Sequence, residues 1–335
     1  MTQPATAPAK HDPFQALRQR NFAIYSLAGT LYGASLMMTQ AAIAWQVYDI
    51  SGSKLQLGMI GLVQFIPAFF GLSLIGGAFA DSHDRRRIAI TGQAIAMAAT
   101  IWLMAFTDRG GIDLWLIYVA VIVIAVASAF ENPARQALLP SVVTLEAFPN
   151  GITVSTTMRQ FGFVTGPALG GLLIALSGVG LAYGAVAILI AGSIVCLFFL
   201  RPRERDGPRR TVSVAAIKEG VQFVWHRQVL LGVMTLDMFA VIFGGAAALL
   251  PVFARDVLDV GAWGYGLLLA SADVGAMFMA IALMFLPQIQ RPGRALLFAV
   301  LGFGAGTVVF GLSRSYPLSL AAYAFVGASD QVSVV

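Results

Sequence analysis

Ionisable side chains set inside long apolar runs are the residues best placed to do chemistry in this chain, because such a setting tolerates a charge only where it has a partner or a task. Asp237, Asp273 and Asp330 each interrupt an otherwise apolar window. Desolvation disfavours an ionised carboxylate, so carboxyls at this depth can bind and release protons, which is what coupling to a proton gradient requires. All three are proton-coupling candidates. Glu131 and Arg135 stand four residues apart and share a helix face, and Arg159 lies about two turns into the next apolar run, at a comparable depth. A denser cluster, Gly76 to Arg87, carries Asp81, Asp84 and three consecutive arginines between two apolar runs.

Two uncharged groups complete the inventory. Gly162, Gly166 and Gly170 recur every fourth residue, with Gly171 beside them, and such a small-residue face lets a neighbouring helix approach closely. Pro167 removes a backbone donor within that face and bends the helix there. Tyr32, Gln40, Trp45, Gln46 and Gln64 are aromatic and amide residues within the early apolar runs, and they sketch a cavity suited to a bulky amphipathic or aromatic molecule. Trp45 also fits an interfacial aromatic belt.

Several chemistries find no support. The single cysteine, Cys196, cannot form an intramolecular disulfide or a CxxC metal site, and His11, His83 and His226 have no ligand partner at useful spacing. No glycine loop followed by Lys and Ser/Thr cradles a phosphate. No serine, histidine and carboxylate grouping suggests hydrolysis. The expectation is a protein with no metal and no cofactor, and not an enzyme.

The elements that must position these residues follow from composition. Hydrophobic residues make up 58% of the 335 and charged residues 11%, against about half and about a quarter in soluble proteins. That is the composition of an all-α polytopic membrane protein. Apolar spans are expected at about 22–48, 55–80, 88–106, 114–139, 152–177, 179–200, 229–254, 264–286 and 294–312, with a tenth beginning near Pro317. Each is long enough to cross a bilayer core of about 30 Å. If residues 1–13 are a disordered cytoplasmic tail, fifteen Lys and Arg fall on the cytoplasmic side and four on the other, Lys54, Arg109, Arg255 and Arg314. The positive-inside rule then keeps the N-terminus in the cytoplasm. The net charge of +5 reports topology and implies no nucleic-acid partner.

The spans divide at a basic, Pro- and Gly-containing linker, 201–220, into a six-helix bundle over 14–200 and a second bundle over 221–335. A shift of 208 residues lays Gly58 on Gly266, Trp45 on Phe253 and Arg86 on Arg294, the pattern of transporters built from two bundles related by an axis along the membrane normal. On that repeat the second bundle holds four spans of six. The expectation is a C-terminally truncated chain, with a fragment, a sequencing break or a real stop left open.

Three motifs carry a family resemblance. Gly77-x-Phe79-Ala80-Asp81-x-x-x-Arg85-Arg86 resembles the loop signature of the major facilitator superfamily, with Asp84 where the commonest pattern has Gly. Gly162 to Gly171 resembles the antiporter motif of its drug-exporting members, and Asn132-Pro133-Ala134-Arg135-Gln136-Ala137 leading to Leu139-Pro140 is similar to the enterobactin exporter branch. The resemblance implies a fold of two six-helix bundles and a gating charge network of Asp81, Arg85 and Arg86, extended by Glu131, Arg135 and Arg159. It implies a helix-packing hinge at Gly162, Gly166, Pro167, Gly170 and Gly171. It also implies export of a small siderophore or drug-like molecule across the bacterial inner membrane, by alternating access with proton antiport, as a monomer in the lipid bilayer when complete. Multidrug and siderophore export stay open, as does a non-transporting sensor or assembly protein on the same bundle, or an inactive fragment.

Overall fold

Apolar stretches that must satisfy every backbone N–H and C=O without water can do so only within a helix or a closed barrel, and this chain is helical throughout the residues described. These are 15–202, 246–285 and 292–334 of the computed structural model, with the short pieces 226–227, 231–232 and 235. The N-terminal tail, most of the linker and most of the expected span at 229–254, including Asp237, lie outside them.

The helices are α1 (Arg20–Ser51), α2 (Lys54–Phe69), α3 (Leu72–Ser82), α4 (Arg85–Asp108), α5 (Leu114–Val142), α6 (Phe148–Ser177) and α7 (Val179–Phe199), then α8 (Gly261–Phe285), α9 (Pro292–Leu312) and α10 (Tyr316–Val334). Ala246 to Val257 precedes α8 as a run of 3₁₀, α and π turns. Among the described residues six helices, α4 to α9, are long and apolar enough to cross a bilayer. A seventh crossing is made if α2 and α3 count together, since they meet at 42°. At 32 residues α1 has the length but carries more polar residues, among them the buried Ser26, Ser35, Thr39 and Gln46, because neighbours surround it.

Two corrections to the expected spans have local causes. The run 55–80 is broken in two, because Pro67 lacks the backbone donor that would continue the α2 ladder and Gly71 takes a left-handed conformation, φ 66°, where α3 begins. Hydropathy does not fall across that break. The charge cluster expected to be a loop from Gly76 to Arg87 is mostly helical, with only His83 and Asp84 between α3 and α4. Asp84 is the N-cap of α4: its Oδ1 accepts from the backbone N–H groups of Arg86 (2.9 Å) and Arg87 (3.3 Å). An aspartate in place of glycine therefore gives the corner a helix cap, and the three arginines occupy the first turn of α4.

Packing is organised around α1, which contacts α5, α6 and α7 over its length, while α4 joins α5 and α7. Helix α6 packs on α8, which in turn packs on α10, and α9 packs on α10. Large apolar side chains cover the outside: Leu55, Phe69, Ile188, Phe198 and Leu312 are all exposed. An apolar exterior of that extent matches lipid as the surrounding solvent.

Candidate functional site

A cavity of about 470 Å³ opens between α1, the bent α2/α3 pair and α5. Thr39 and Gln40 of α1, Gln64 of α2, Ser73 of α3 and Ser128, Asn132 and Gln136 of α5 supply its polar groups, and apolar residues such as Ile43 and Val121 supply the remainder. No charged side chain is among its lining residues. The α5 contribution is a stripe at four-residue spacing, so one helix face presents all three polar groups.

Of the five residues expected to line a cavity, Gln40 and Gln64 do so and three do not. Tyr32 is buried behind the wall against Ala96, Val186 and Ile190. Gln46 is buried in a hydrogen-bonded group, its Nε2 donating to Thr107 Oγ1 at 2.8 Å and its Oε1 accepting from Tyr183 Oη at 2.8 Å. Trp45 stacks at 5.5 Å on Tyr265 of α8. Polarity marked these residues as interior, but α1 is interior on several sides. Ser128, Asn132 and Gln136 were not expected to line a cavity, although their four-residue spacing puts them on one helix face.

The charged residues form two separate groups. Asp81 pairs with Arg85 at 3.3 Å, and Arg85 Nη1 donates to Ala137 O of α5 at 3.0 Å. Arg86 donates to Phe198 O and lies 5.3 Å from the centre of the Phe198 ring, at the end of α7. These contacts fasten the α3–α4 corner to α5 and α7. The second group sits inside: Glu131, fully buried, accepts from Gln93 Nε2 of α4 at 3.1 Å and faces Arg135 Nε at 3.2 Å. Arg159 belongs with neither carboxylate. Its guanidinium lies 5.8 Å from the centre of the Phe163 ring, within electrostatic range of Arg135.

The glycines of α6 serve two partners. A Cβ at Gly162 would meet Thr30 O of α1 at 2.5 Å, one at Gly166 would strike Ala34 O, and one at Gly170 would press on Met38 Cγ at 3.0 Å. Gly171 instead faces α8, where a Cβ would meet Ala262 O at 2.6 Å and Gly266 Cα at 2.7 Å. Pro167 shares that side, its carbonyl lying 2.5 Å from where a Cβ on Gly266 would be. Helix α6 is thus pressed onto α1 by three glycines and onto α8 by the fourth.

Three further contacts link the first seven helices to the remainder. Gln160 Nε2 donates to Asp273 Oδ1 at 3.0 Å, joining α6 to a half-buried carboxylate on α8. At the far end of α1, Tyr48 Oη donates to Asp256 and Arg255 Nη1 donates to Asp49 Oδ1 at 2.7 Å. Asp330 is exposed near the end of α10, within electrostatic range of Tyr323. Neither Gln160 nor the pairs at Tyr48 and Asp49 were singled out by sequence, where Arg255 counted only as a loop charge.

A family described as transmembrane secretion effectors matches residues 11–332. The multidrug efflux pump Tap of Mycolicibacterium fortuitum is 26% identical over 308 residues, spanning 88% of this chain and 74% of that protein. The enterobactin exporter EntS of Shigella dysenteriae is 24% identical over 307 residues, spanning 89% and 71%. Among solved structures, a bacterial homologue of the human lysosomal transporter Spinster, inward-facing and occupied, superposes with a TM-score of 0.69 over 97% of this chain and 73% of that one, at 15% identity. At that identity the likeness speaks for the fold.

Proposed function

The chain belongs to the transmembrane secretion effector family of the major facilitator superfamily, and on that premise we propose that it exports small amphipathic molecules, drug-like or siderophore, by alternating access with proton antiport. The observation that carries the reading is the cavity between α1, α2/α3 and α5, walled by amides and hydroxyls without a charge. A wall of that kind takes the bulky, partly apolar body of a molecule through apolar contact and neutral hydrogen bonds. The cellular setting is a bacterial inner membrane with the N-terminus in the cytoplasm, and the working unit is a monomer.

Alternating access needs two bundles, 14–200 and 221–335, that rock about a close-packed seam. Gly171, with Pro167, against Ala262 and Gly266 of α8 supplies such a seam, while the four-residue glycine ladder fastens α6 to α1 inside the first bundle. The Tyr48–Asp256 contact supports a two-bundle repeat, since its residues stand 208 apart, the interval at which the sequence lays one half on the other. Residues equivalent by a two-fold repeat meet where the axis passes between them. On this reading the cluster of Tyr48, Asp49, Arg255 and Asp256 closes the side opposite the N-terminus. Asp81, Arg85 and Arg86 stiffen the cytoplasmic corner of the first bundle, with Glu131, Arg135 and Arg159 behind it.

Asp273 is the proton carrier in this reading. It stands on α8, directly across the seam from α6, so a change in its charge alters the bond with Gln160 that joins the two halves. The test is transport of Hoechst 33342 by the chain reconstituted in proteoliposomes. A pH gradient should drive dye movement, and Asp273→Asn should abolish that dependence. Transport indifferent to the gradient would remove antiport, and an Asp273→Asn protein that still followed the gradient would remove this carboxylate from it.

A further inference from the structure

Beside the uncharged cavity lies a second one of about 260 Å³, between α1, α5 and α6, with Tyr25, Ser26, Arg135, Ser155, Thr156 and Arg159 in its wall. Its chemistry is the reverse of the first. Two guanidiniums and four hydroxyls line it, and no acidic residue does. Glu131 faces Arg135 from outside this wall, so the three charges sum to one surplus positive charge, carried by Arg159.

Both arginines lie alongside the glycine face of α1. Gly29 lies against Arg135 Nη1 and Gly33 against Arg159 Cγ, at ordinary contact distances of 4.0 and 3.5 Å from where a Cβ would stand. Arg135 is fixed by Asn132, whose Oδ1 accepts from Nη2 at 2.9 Å. Ser26 gives the independent sign of a ligand: it is 2% exposed, lines the cavity, and its Oγ has no hydrogen-bond partner. A buried hydroxyl without a partner costs about 1–3 kcal/mol, a cost removed when a bound acceptor supplies the bond. Paired guanidiniums with hydroxyls around them are the donor set that a carboxylate, sulfonate or phosphate fits.

Gln136 stands in the walls of both cavities. A molecule with an apolar body in the larger and an oxyanion in the smaller would therefore span one continuous wall. Resting on the transport reading above and sharpening its substrate class, we propose that the space between Arg135 and Arg159 is an anion subsite that takes the carboxylate, sulfonate or phosphate end of an anionic amphiphile. That oxyanion can arrive on a transported molecule or on a lipid headgroup.

Two fluorescent probes that differ by one sulfonate separate the contributions: 8-anilinonaphthalene-1-sulfonate and neutral N-phenyl-1-naphthylamine. Each is titrated onto the full chain in phosphatidylcholine nanodiscs, with empty nanodiscs subtracted. Wild-type protein should prefer the sulfonate, and Arg159→Gln should cut sulfonate affinity by about tenfold, the scale of one charge-assisted contact. Ser26→Ala should weaken it by less, Arg159→Lys should restore part, and Arg87→Gln, which removes an equal charge from the exposed corner, should leave the preference in place. If phosphatidylglycerol nanodiscs erase the wild-type preference, the occupant is a headgroup; if they leave it intact, the occupant is the transported molecule. No sulfonate preference in the wild type, or an equal preference in Arg159→Gln, overturns the subsite. Binding is read here without transport, so failure of the subsite and failure of gradient-driven export are separate results.

Discussion

The two ends of α1 are held by different partners. Near its start Tyr25 Oη donates to Arg135 O at 3.1 Å, Asn21 Nδ2 to Arg201 O at 2.8 Å, and Gln19 Nε2, just ahead of the helix, to Thr144 Oγ1 at 3.0 Å, all within the first seven helices and what directly follows them. Near its finish the partners are Tyr265, Asp256 and Arg255, in or just before α8. One end is built into its own bundle through two backbone carbonyls and a threonine hydroxyl, and the other is joined to the remainder through side chains, one contact being a half-exposed ion pair. At the start the Tyr25 bond is buried, the Gln19 bond half-buried and the Asn21 bond exposed, whereas at the finish the Asp49–Arg255 ion pair can be exchanged with water at little cost. A helix anchored at one end and releasable at the other is what a rocking bundle needs.

The comparison breaks most visibly at the anchored end. Glu131→Ala leaves Arg135, 8% exposed, with a buried charge and no carboxylate. Removing one partner of a buried pair costs about 3–5 kcal/mol. The expected outcome is a large fall in the thermal unfolding temperature of the detergent-solubilised protein, with recovery in Glu131→Ala/Arg135→Leu. An unchanged unfolding temperature would mean that Arg135 does not depend on Glu131.

The middle of the comparison is the glycine seam, where α6 is pressed toward both partners. Gly171→Ala places a methyl against Ala262 O and Gly266 Cα on α8, both backbone atoms that cannot rotate away. Overpacking of that kind costs about 1–3 kcal/mol. Because the added methyl acts between the bundles, transport of Hoechst 33342 should fall more steeply than stability. Gly166→Ala, pressed onto Ala34 inside the first bundle, should do the opposite. Equal losses of stability and transport in both variants would dissolve the distinction.

Much of this arrangement was legible in the chain, and what was not has identifiable causes. The spans 88–106 and 179–200 fall close to α4 (Arg85–Asp108) and α7 (Val179–Phe199), because bilayer thickness sets the length of an apolar run. The break at Gly71 left no trace in hydropathy, since the residues on both sides are equally apolar. Gly162, Gly166 and Gly170 announce a close approach, but spacing cannot say that the approaching helix is α1, nor that Gly171 faces another. Tyr32, Trp45 and Gln46 were recognisable as interior, yet α1 touches α2, α5, α6, α7 and α8, so an interior residue can face any of at least five neighbours. Gln160 escaped notice because an amide in a polar stretch of α6 gains meaning only once Asp273 is seen opposite it.

The smallest expected effect lies at the releasable end and sharpens the comparison most finely. Asp49 and Arg255 are 57% and 46% exposed, so water competes for both charges, and a pair of this kind contributes about 0.2–1 kcal/mol. A double-mutant cycle with Asp49→Asn and Arg255→Gln should return a coupling in that range and lose it in high salt, where screening shortens to about 3 Å at 1 M. Stability should hardly move. What should move is the reactivity toward a water-soluble maleimide of a cysteine placed at Ala41, buried on α1 among Leu250, Ala254 and Tyr265: faster labelling is expected when either charge is removed, and slower labelling when both are present at low salt. Should the labelling rate be indifferent to both substitutions, Tyr48, Trp45 and the α6–α8 seam would be enough to hold that end closed, and the two ends of α1 would differ in partner but not in strength.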